Sequence, residues 1–123
     1  MKWYRLAADK GYATAQFFLG IMYDDGYGVP EDDTEAVKWW RLAADQGVAV
    51  AQSNLGAMYA NGNGVPEDYI EGYARFNVAV ALGDEVAKDL KETLTAKMSK
   101  EDISAAQKRS KEIWEALEAR KAD

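Results

Sequence analysis

A segment of 36 residues occurs twice in succession in this chain. Residues 2–37 and 38–73 align without a gap and have the same amino acid at 22 of 36 positions. A repeat of this length is typical of a solenoid, in which each unit buries its apolar face against its neighbours. We therefore expect a stack of similar units rather than a fold built around one central core.

Turn-forming residues divide each repeat into two helices. A Gly-X-Gly-Val-Pro run occupies residues 26–30 and 62–66, and single glycines lie at Gly11, Gly47 and Gly83. Between these turns the apolar residues recur at helical spacing, and no segment alternates as a strand would. The pattern predicts that large side chains fill the core beside small alanines and glycines. These large residues are Leu19, Tyr23, Trp39, Trp40 and Leu42.

These patterns predict an all-α fold, an antiparallel helix-pair solenoid (an α/α superhelix) with a C-terminal capping helix. Ser99 and Asp102 have the spacing of a capping box that opens the last helix. In that helix Lys108, Arg109, Lys111 and Glu115 are expected to face water. We expect one domain over residues 1–123, with the second helix of a truncated unit at 1–10, complete repeats at 11–47 and 48–83, and a degenerate unit plus the capping helix at 84–123.

Three motifs carry a resemblance to a known family. Ala-X-Ala-Gln-X-X-Leu-Gly-X-X-Tyr occurs at residues 13–23 and 49–59, Gly-X-Gly-Val-Pro-X-Asp follows at 26–32 and 62–68, and a closing Trp- and Ala-containing helix spans 36–47. This arrangement resembles the Sel1-like repeat family, a branch of the tetratricopeptide-type helical solenoids. The resemblance implies an adaptor or scaffold for protein complexes, often in bacteria. It implies no catalytic residues.

The residue types argue against catalysis. The chain has no His and no Cys, which removes the usual general base, the thiol nucleophile and the strongest zinc ligands. Asp24 with Asp25, and Glu31 with Asp32 and Asp33, are the carboxylate clusters. Loop solvation and complementarity to a helix dipole explain them. We therefore expect no enzyme, cofactor or metal, and a carboxylate-dependent hydrolase is the alternative.

The charge distribution limits the class of partner. The net charge is −6, of which residues 1–83 carry −5, and this argues against a nucleic-acid partner. A protein or peptide that is basic or neutral is favoured instead. No apolar run has the length of a membrane span, and residues 1–3 already belong to the repeat pattern rather than to a signal peptide. The compartment stays open: cytoplasmic, or periplasmic or secreted if a signal was removed from a longer protein.

The first helices of successive units are expected to line a concave groove that binds the partner. Positions on their exposed edge differ between the two copies, whereas framework positions are the same. Phe17 and Ile21 are the principal candidates, with the alternative that they pack against a preceding unit. The predicted groove residues are Thr14, Phe17, Phe18, Ile21, Asp24, Val50, Ser53, Asn54, Ala57 and Ala60, with Tyr27 and Asn63 on the adjoining loops.

The first ten residues suggest a second kind of contact. They match the second helix of a unit whose first helix is missing, so their apolar face is expected to be open. We predict that Trp3, Leu6 and Ala7, with Phe17 and Phe18 beside them, form a self-association edge. Pairing of this edge with its copy would give a two-fold homodimer.

Overall fold

The computed structural model describes residues 2–121, which form seven α-helices and no strand. This confirms the all-α prediction. We call α2, α4 and α6 the first helices of their units, and α3 and α5 the second helices. The helices are α1 (Lys2–Asp9), α2 (Ala13–Asp25), α3 (Asp33–Asp45), α4 (Ala49–Asn61), α5 (Tyr69–Ala81), α6 (Val86–Thr95) and α7 (Lys100–Lys121).

Local sequence determines where the repeated helices begin and end. Gly26 and Gly62 close α2 and α4 in the left-handed conformation, each with φ of 69°. Asp32 and Asp68 open α3 and α5, because each carboxylate accepts a hydrogen bond from a backbone N–H three residues later. The two copies therefore have matching termini as well as matching sequences.

Glycine lets the two helices of each unit approach closely. A Cβ added at Gly20 would lie 2.2 Å from Trp40 Nε1, and one at Gly56 would lie 2.8 Å from the Phe76 ring. Beside this close approach, the Trp40 indole N–H of α3 donates to the Phe17 carbonyl of α2 at 3.1 Å. Trp39 and Trp40 are both buried, in agreement with their predicted place in the core.

Buried glutamines join each unit to the one before it. Gln16 donates to the Ala8 carbonyl at 3.3 Å, and Gln52 donates to the Ala44 carbonyl at 3.1 Å. Both carbonyls lie in the last turn of a helix, and each also accepts a hydrogen bond at 2.9 Å from the backbone N–H of the turn glycine three residues later. Neither glutamine has a role that the sequence pattern predicts.

Helix α5 is covered on two sides. Tyr73 and Phe76 form one core cluster with residues of α6, and Ala74 and Val78 form another with Ile113 of α7. The capping box is present as predicted: Ser99 Oγ accepts from the Asp102 backbone N–H at 3.0 Å. The last helix thus packs along the final complete repeat.

Two sequence-based expectations are wrong. Leu42 is 39% exposed rather than part of the core, because no helix covers it, whereas α7 covers the equivalent Val78, which is 2% exposed. Arg109 does not simply face water, since its Nε donates to Glu71 Oε1 at 2.8 Å. The half-buried Glu71 carboxylate supplies the negative charge that draws this side chain onto α5.

Candidate protein-interaction surface

The first helices present equivalent residues at intervals of 36. We call the surface formed by α2, α4 and α6 the first-helix face. One edge, at the N-terminal ends of these helices, carries the exposed residues Thr14, Val50 and Val86. The other edge, at their C-terminal ends, carries Asp25 and Asn61, and Lys97 just beyond α6. The chemistry of this second edge thus changes from acidic to neutral to basic across the three helices.

The predicted groove residues of α2 are not equally accessible. Phe17 and Ile21 are half-buried against the core cluster formed by α3 and α4. Phe18 is exposed at the edge of an aromatic group, with its ring centroid 5.6 Å from that of Tyr4 and 5.6 Å from that of Phe17. Phe17 and Ile21 therefore pack toward the following unit, and Phe18 is the more available aromatic side chain.

The equivalent residues of α4 give a smaller and more polar surface. Val50 is exposed, Asn54 and Ala57 are half-buried, and Ser53 is buried. Ser53 is therefore unavailable to a partner in this conformation, whereas Asn54 retains an accessible side chain. Tyr27 and Asn63 are exposed on the loops beside the face.

At the acidic end of the first-helix face, the pKa of Asp24 is raised above its usual value. Partial burial raises the pKa of Asp24, and the nearby carboxylates of Asp25, Asp33 and Glu31 raise it further. Asp24 itself is half-buried, and Asp25 is exposed. The pKa shift thus reflects the partial burial of Asp24 first and the neighbouring negative charges at the end of α2 second.

A cavity of about 130 Å³ lies on the same face between α4 and α6. Ala57, Phe76 and Leu94 line its apolar interior. It is also lined by Leu90 and Thr93 of α6 and by Lys97 just beyond that helix. These last three residues were not predicted to lie on the face, because the third unit lacks the Leu-Gly-X-X-Tyr motif. The signal that could have found them is their offset of 36 from Asn54, Ala57 and Asn61.

A second depression lies on the other side of the molecule, between the end of α3 and α7. It consists of adjoining cavities of about 340 and 250 Å³ that share Asp45, Leu117 and Arg120. Its floor includes Arg75, which is buried and donates to Glu71 Oε2 at 2.9 Å and to Gln52 Oε1 at 3.1 Å. The Arg75 side chain is thus held by its own helix and by α4.

The predicted self-association edge is open at two of its three positions. Trp3 is 83% exposed, whereas Trp39 at the equivalent place in the next unit is 3% exposed. Leu6 is also exposed, but Ala7 is half-buried against the cluster that α1 forms with α2 and α3. The outward face of α1 is therefore formed by Trp3 and Leu6.

Residues 2–121, which the structure describes, contain no group of three or more His, Cys, Asp or Glu side chains arranged to hold a metal ion. No helix among them is both long enough and apolar enough to cross a membrane.

Comparison with protein families agrees with this repeated geometry. The Sel1 repeat model matches residues 1–12, 13–48 and 49–84. The chain belongs to the Sel1 repeat family. The matched residues include α1 and both complete helix pairs, so membership rests on the same units that the sequence identity defines.

Two solved Sel1-type structures are similar to the chain. One is c5321, described as a protective antigen of uropathogenic Escherichia coli strains with an SLR fold, at 33% identity and a TM-score of 0.91 over 94% of this chain. The other is a Sel1 repeat protein from Oxalobacter formigenes, at 40% identity and a TM-score of 0.68 over 70% of this chain. The chain spans 25% and 35% of the lengths of these two structures. A search of curated proteins finds no significant relative.

Family membership gives a coarse functional class. Sel1 repeats typically mediate protein–protein interactions, and their helical solenoid is typically non-catalytic. Both solved neighbours are bacterial proteins.

Proposed function

We propose that this chain is a non-enzymatic adaptor or scaffold that binds a peptide or protein on its first-helix face. The proposal rests on one contrast between the two repeat copies. The framework positions that are buried in both α2 and α4 have the same residue, whereas positions on the first-helix face have different residues. Leu19 and Leu55 occupy equivalent framework positions and are both fully buried. The equivalent face residues Ile21 and Ala57 differ in size. A repeat protein can change its partner in this way while keeping its packing.

The charge of the face favours a basic or neutral segment at the α2 end. Partial burial raises the pKa of Asp24, and repulsion from Asp25 and two further carboxylates raises it further. A partner cation near Asp25 would relieve that repulsion and become more favourable as the pH rises through the pKa of Asp24. Nothing in this arrangement favours the hydrolase alternative, because the neighbouring carboxylates and burial already explain the pKa shift.

A capture experiment tests the proposal. The wild-type chain and the double variant Thr14→Lys/Val50→Lys are used as baits in extract from the source cells. Both positions are exposed, so the variant should fold, unlike substitutions at the half-buried Phe17 and Ile21. The matched control is Leu42→Lys, which changes an exposed apolar residue of α3 outside the face.

The expected result is a protein that binds wild type and Leu42→Lys but not the double variant. Binding of the purified partner is then measured directly, with at least about a tenfold loss expected for the variant, the size that one or two interface contacts supply. A partner held equally by all three baits would reject the first-helix face as the binding surface.

Self-association is a second candidate function, favoured by the exposed Trp3. Its counterpart Trp39 is buried against α1 and α2, so Trp3 leaves open an apolar surface that the fold covers one unit later. Exposed apolar surface of this kind often marks an interface. We expect a concentration-dependent dimer in light scattering that Trp3→Lys/Leu6→Lys abolishes. A wild-type chain that stays monomeric at high concentration would eliminate this candidate.

A further inference from the structure

The cavity between α4 and α6 lies beside a face position at which the two complete units differ in size. Ala57 lies at the position that Ile21 occupies one unit earlier. Ile21 packs against a cluster that contains Trp40 and Met58. The equivalents of those two residues, Phe76 and Leu94, line the cavity beside Ala57. The first unit thus fills with its own isoleucine a site that the second unit leaves open.

We propose that this cavity receives an aliphatic side chain of an extended peptide partner, and that the adjacent partner residue is acidic. The inference rests on the proposed function, since it specifies the chemistry of the partner at that same face. The interior supplied by Ala57, Phe76 and Leu94 is apolar, and an aliphatic side chain, that of Ile21, packs at the equivalent place in the other unit. Burial of such a side chain is favourable in proportion to the apolar area removed from water.

The rim of the cavity specifies the acidic neighbour. Lys97 lines the opening, and within residues 2–121 it forms no salt bridge. Its ammonium group lies 6.0 Å from the centre of the Tyr69 ring, which positions it at the edge of the face. Thr93 and Asn61 add neutral polar groups to the same opening. A carboxylate one residue from the buried side chain would meet the positive charge of Lys97 there.

The polarity of the face gives the partner a direction. Its basic end at Lys97 and its acidic end at Asp25 lie on opposite sides of Asn61. A segment with its acidic residue at α6 and neutral or basic residues toward α2 complements both ends. The reverse orientation would place like charges together, so charge selects one direction of binding.

Selection from a displayed library of random heptapeptides tests the inference. Wild type is the target, and two single variants are the comparisons. Ala57→Ile fills the cavity with the residue that the first unit uses, and Ala105→Ile makes the same change at an exposed position of α7. We expect enriched peptides to share an aliphatic residue next to Asp or Glu. Resynthesised, they should bind Ala57→Ile about tenfold or more weakly and Ala105→Ile unchanged.

Charge reversal supplies a gain-of-binding test. Lys97 is exposed, so Lys97→Glu should fold normally. It should bind the selected peptides more weakly and prefer versions in which the acidic residue is replaced by Lys. Equal preference of wild type and Lys97→Glu for the two peptide versions would overturn the acidic neighbour.

The remaining outcomes separate this inference from the proposed function. Peptides that bind Ala57→Ile as well as wild type, but are lost with Thr14→Lys/Val50→Lys, reject the cavity and leave the first-helix face in place. Peptides that bind every variant reject both. A library in which no peptide is enriched for wild type over Ala57→Ile also rejects the cavity.

Discussion

Leu42 of α3 and Leu55 of α4 lie on consecutive helices but have different environments. Leu55 is fully buried where α4 meets α3, whereas Leu42 lies on the outer side of α3 with no helix over it. The same residue type therefore has a structural role at one position and little role at the other. This difference gives a matched pair for measuring what core packing contributes to the repeat.

We predict that Leu55→Ala lowers the free energy of unfolding by about 2–5 kcal/mol, because it leaves a cavity in a fully packed site. Leu42→Ala should cost much less, since its side chain is partly in water already. Denaturant unfolding of both variants beside wild type measures the two values. Equal losses for the two leucines would contradict the assigned core.

The apolar pattern of the sequence predicted the core of the repeats but not the hydrogen bonds of the buried glutamines. Alanines, glycines and aromatic residues at helical spacing identify the core because apolar periodicity reflects burial directly. Gln16 and Gln52 interrupt that pattern, and a buried amide is recognisable only once its acceptor is known. The acceptors are carbonyls of the preceding helix, eight residues earlier, so the contact depends on how the chain turns between the two.

At the scale of elements, the joint between α5 and α7 is electrostatic as well as apolar. Glu71 accepts hydrogen bonds from Arg75 on its own helix and from Arg109 on α7. Burial raises the pKa of Glu71, but the hydrogen bonds and charges of Arg109 and Arg75 outweigh it and leave the pKa below its usual value. The joint therefore requires an ionised Glu71.

We predict that Glu71→Gln lowers the free energy of unfolding at pH 7 by about 1–3 kcal/mol, because Arg75 loses its charged partner in a buried place. Glu118→Gln, at an exposed position of α7, is the control and should have little effect. Thermal or denaturant unfolding provides the comparison. A Glu71→Gln protein as stable as the control would show that the apolar contacts alone hold α7.

The same carboxylate predicts a pH dependence. Because the folded-state pKa of Glu71 is lowered, its contribution is present above the unfolded value, near 4.5, and is lost as the pH falls through the folded pKa. Wild type should therefore lose more stability than Glu71→Gln when the pH is lowered below 4.5. Parallel stability curves for the two proteins in acid would contradict this linkage.

Sequence reasoning identified α7 as a capping helix but did not predict its contacts. The capping box and the apolar stripe are local features, and both are present. The Glu71–Arg109 pair joins residues 38 positions apart and depends on the direction in which α7 crosses α5. The cavity beside Ala57 depends equally on where α6 lies, which the degenerate third unit does not reveal.

At the scale of the whole molecule, the solenoid should not be uniformly stable. Each element packs only on near neighbours, so stability depends on how many sides of a helix are covered. Helix α5 contacts α4, α6 and α7, whereas α1 packs mainly on α2 and leaves Trp3 and Leu6 exposed. The middle of the stack is therefore the most extensively packed part.

We predict that amide hydrogen exchange is slowest in α4 and α5 and fastest in α1. Exchange measured by mass spectrometry or NMR on the free chain checks the order. The variant Leu55→Ala should accelerate exchange in α3 and α4 more than Leu42→Ala does, because only Leu55 lies in the core cluster that these two helices share. Protection of α1 equal to that of α5 would indicate that the Trp3 face is covered in solution.

The Glu71–Arg75–Arg109 joint also affects how the gene can change its length. A crossover between the two copies that removes residues 38–73 joins residue 37 to residue 74. In the shortened product Glu35 lies four residues before Arg75, the spacing that Glu71 has now. Glu35, which is the equivalent of Glu71 in the first copy, thus takes the place of the carboxylate that binds α7. One recombination event can remove a unit while every partner of the terminal joint is retained, so natural variants with fewer repeats can arise without an intermediate that has lost this ion pair.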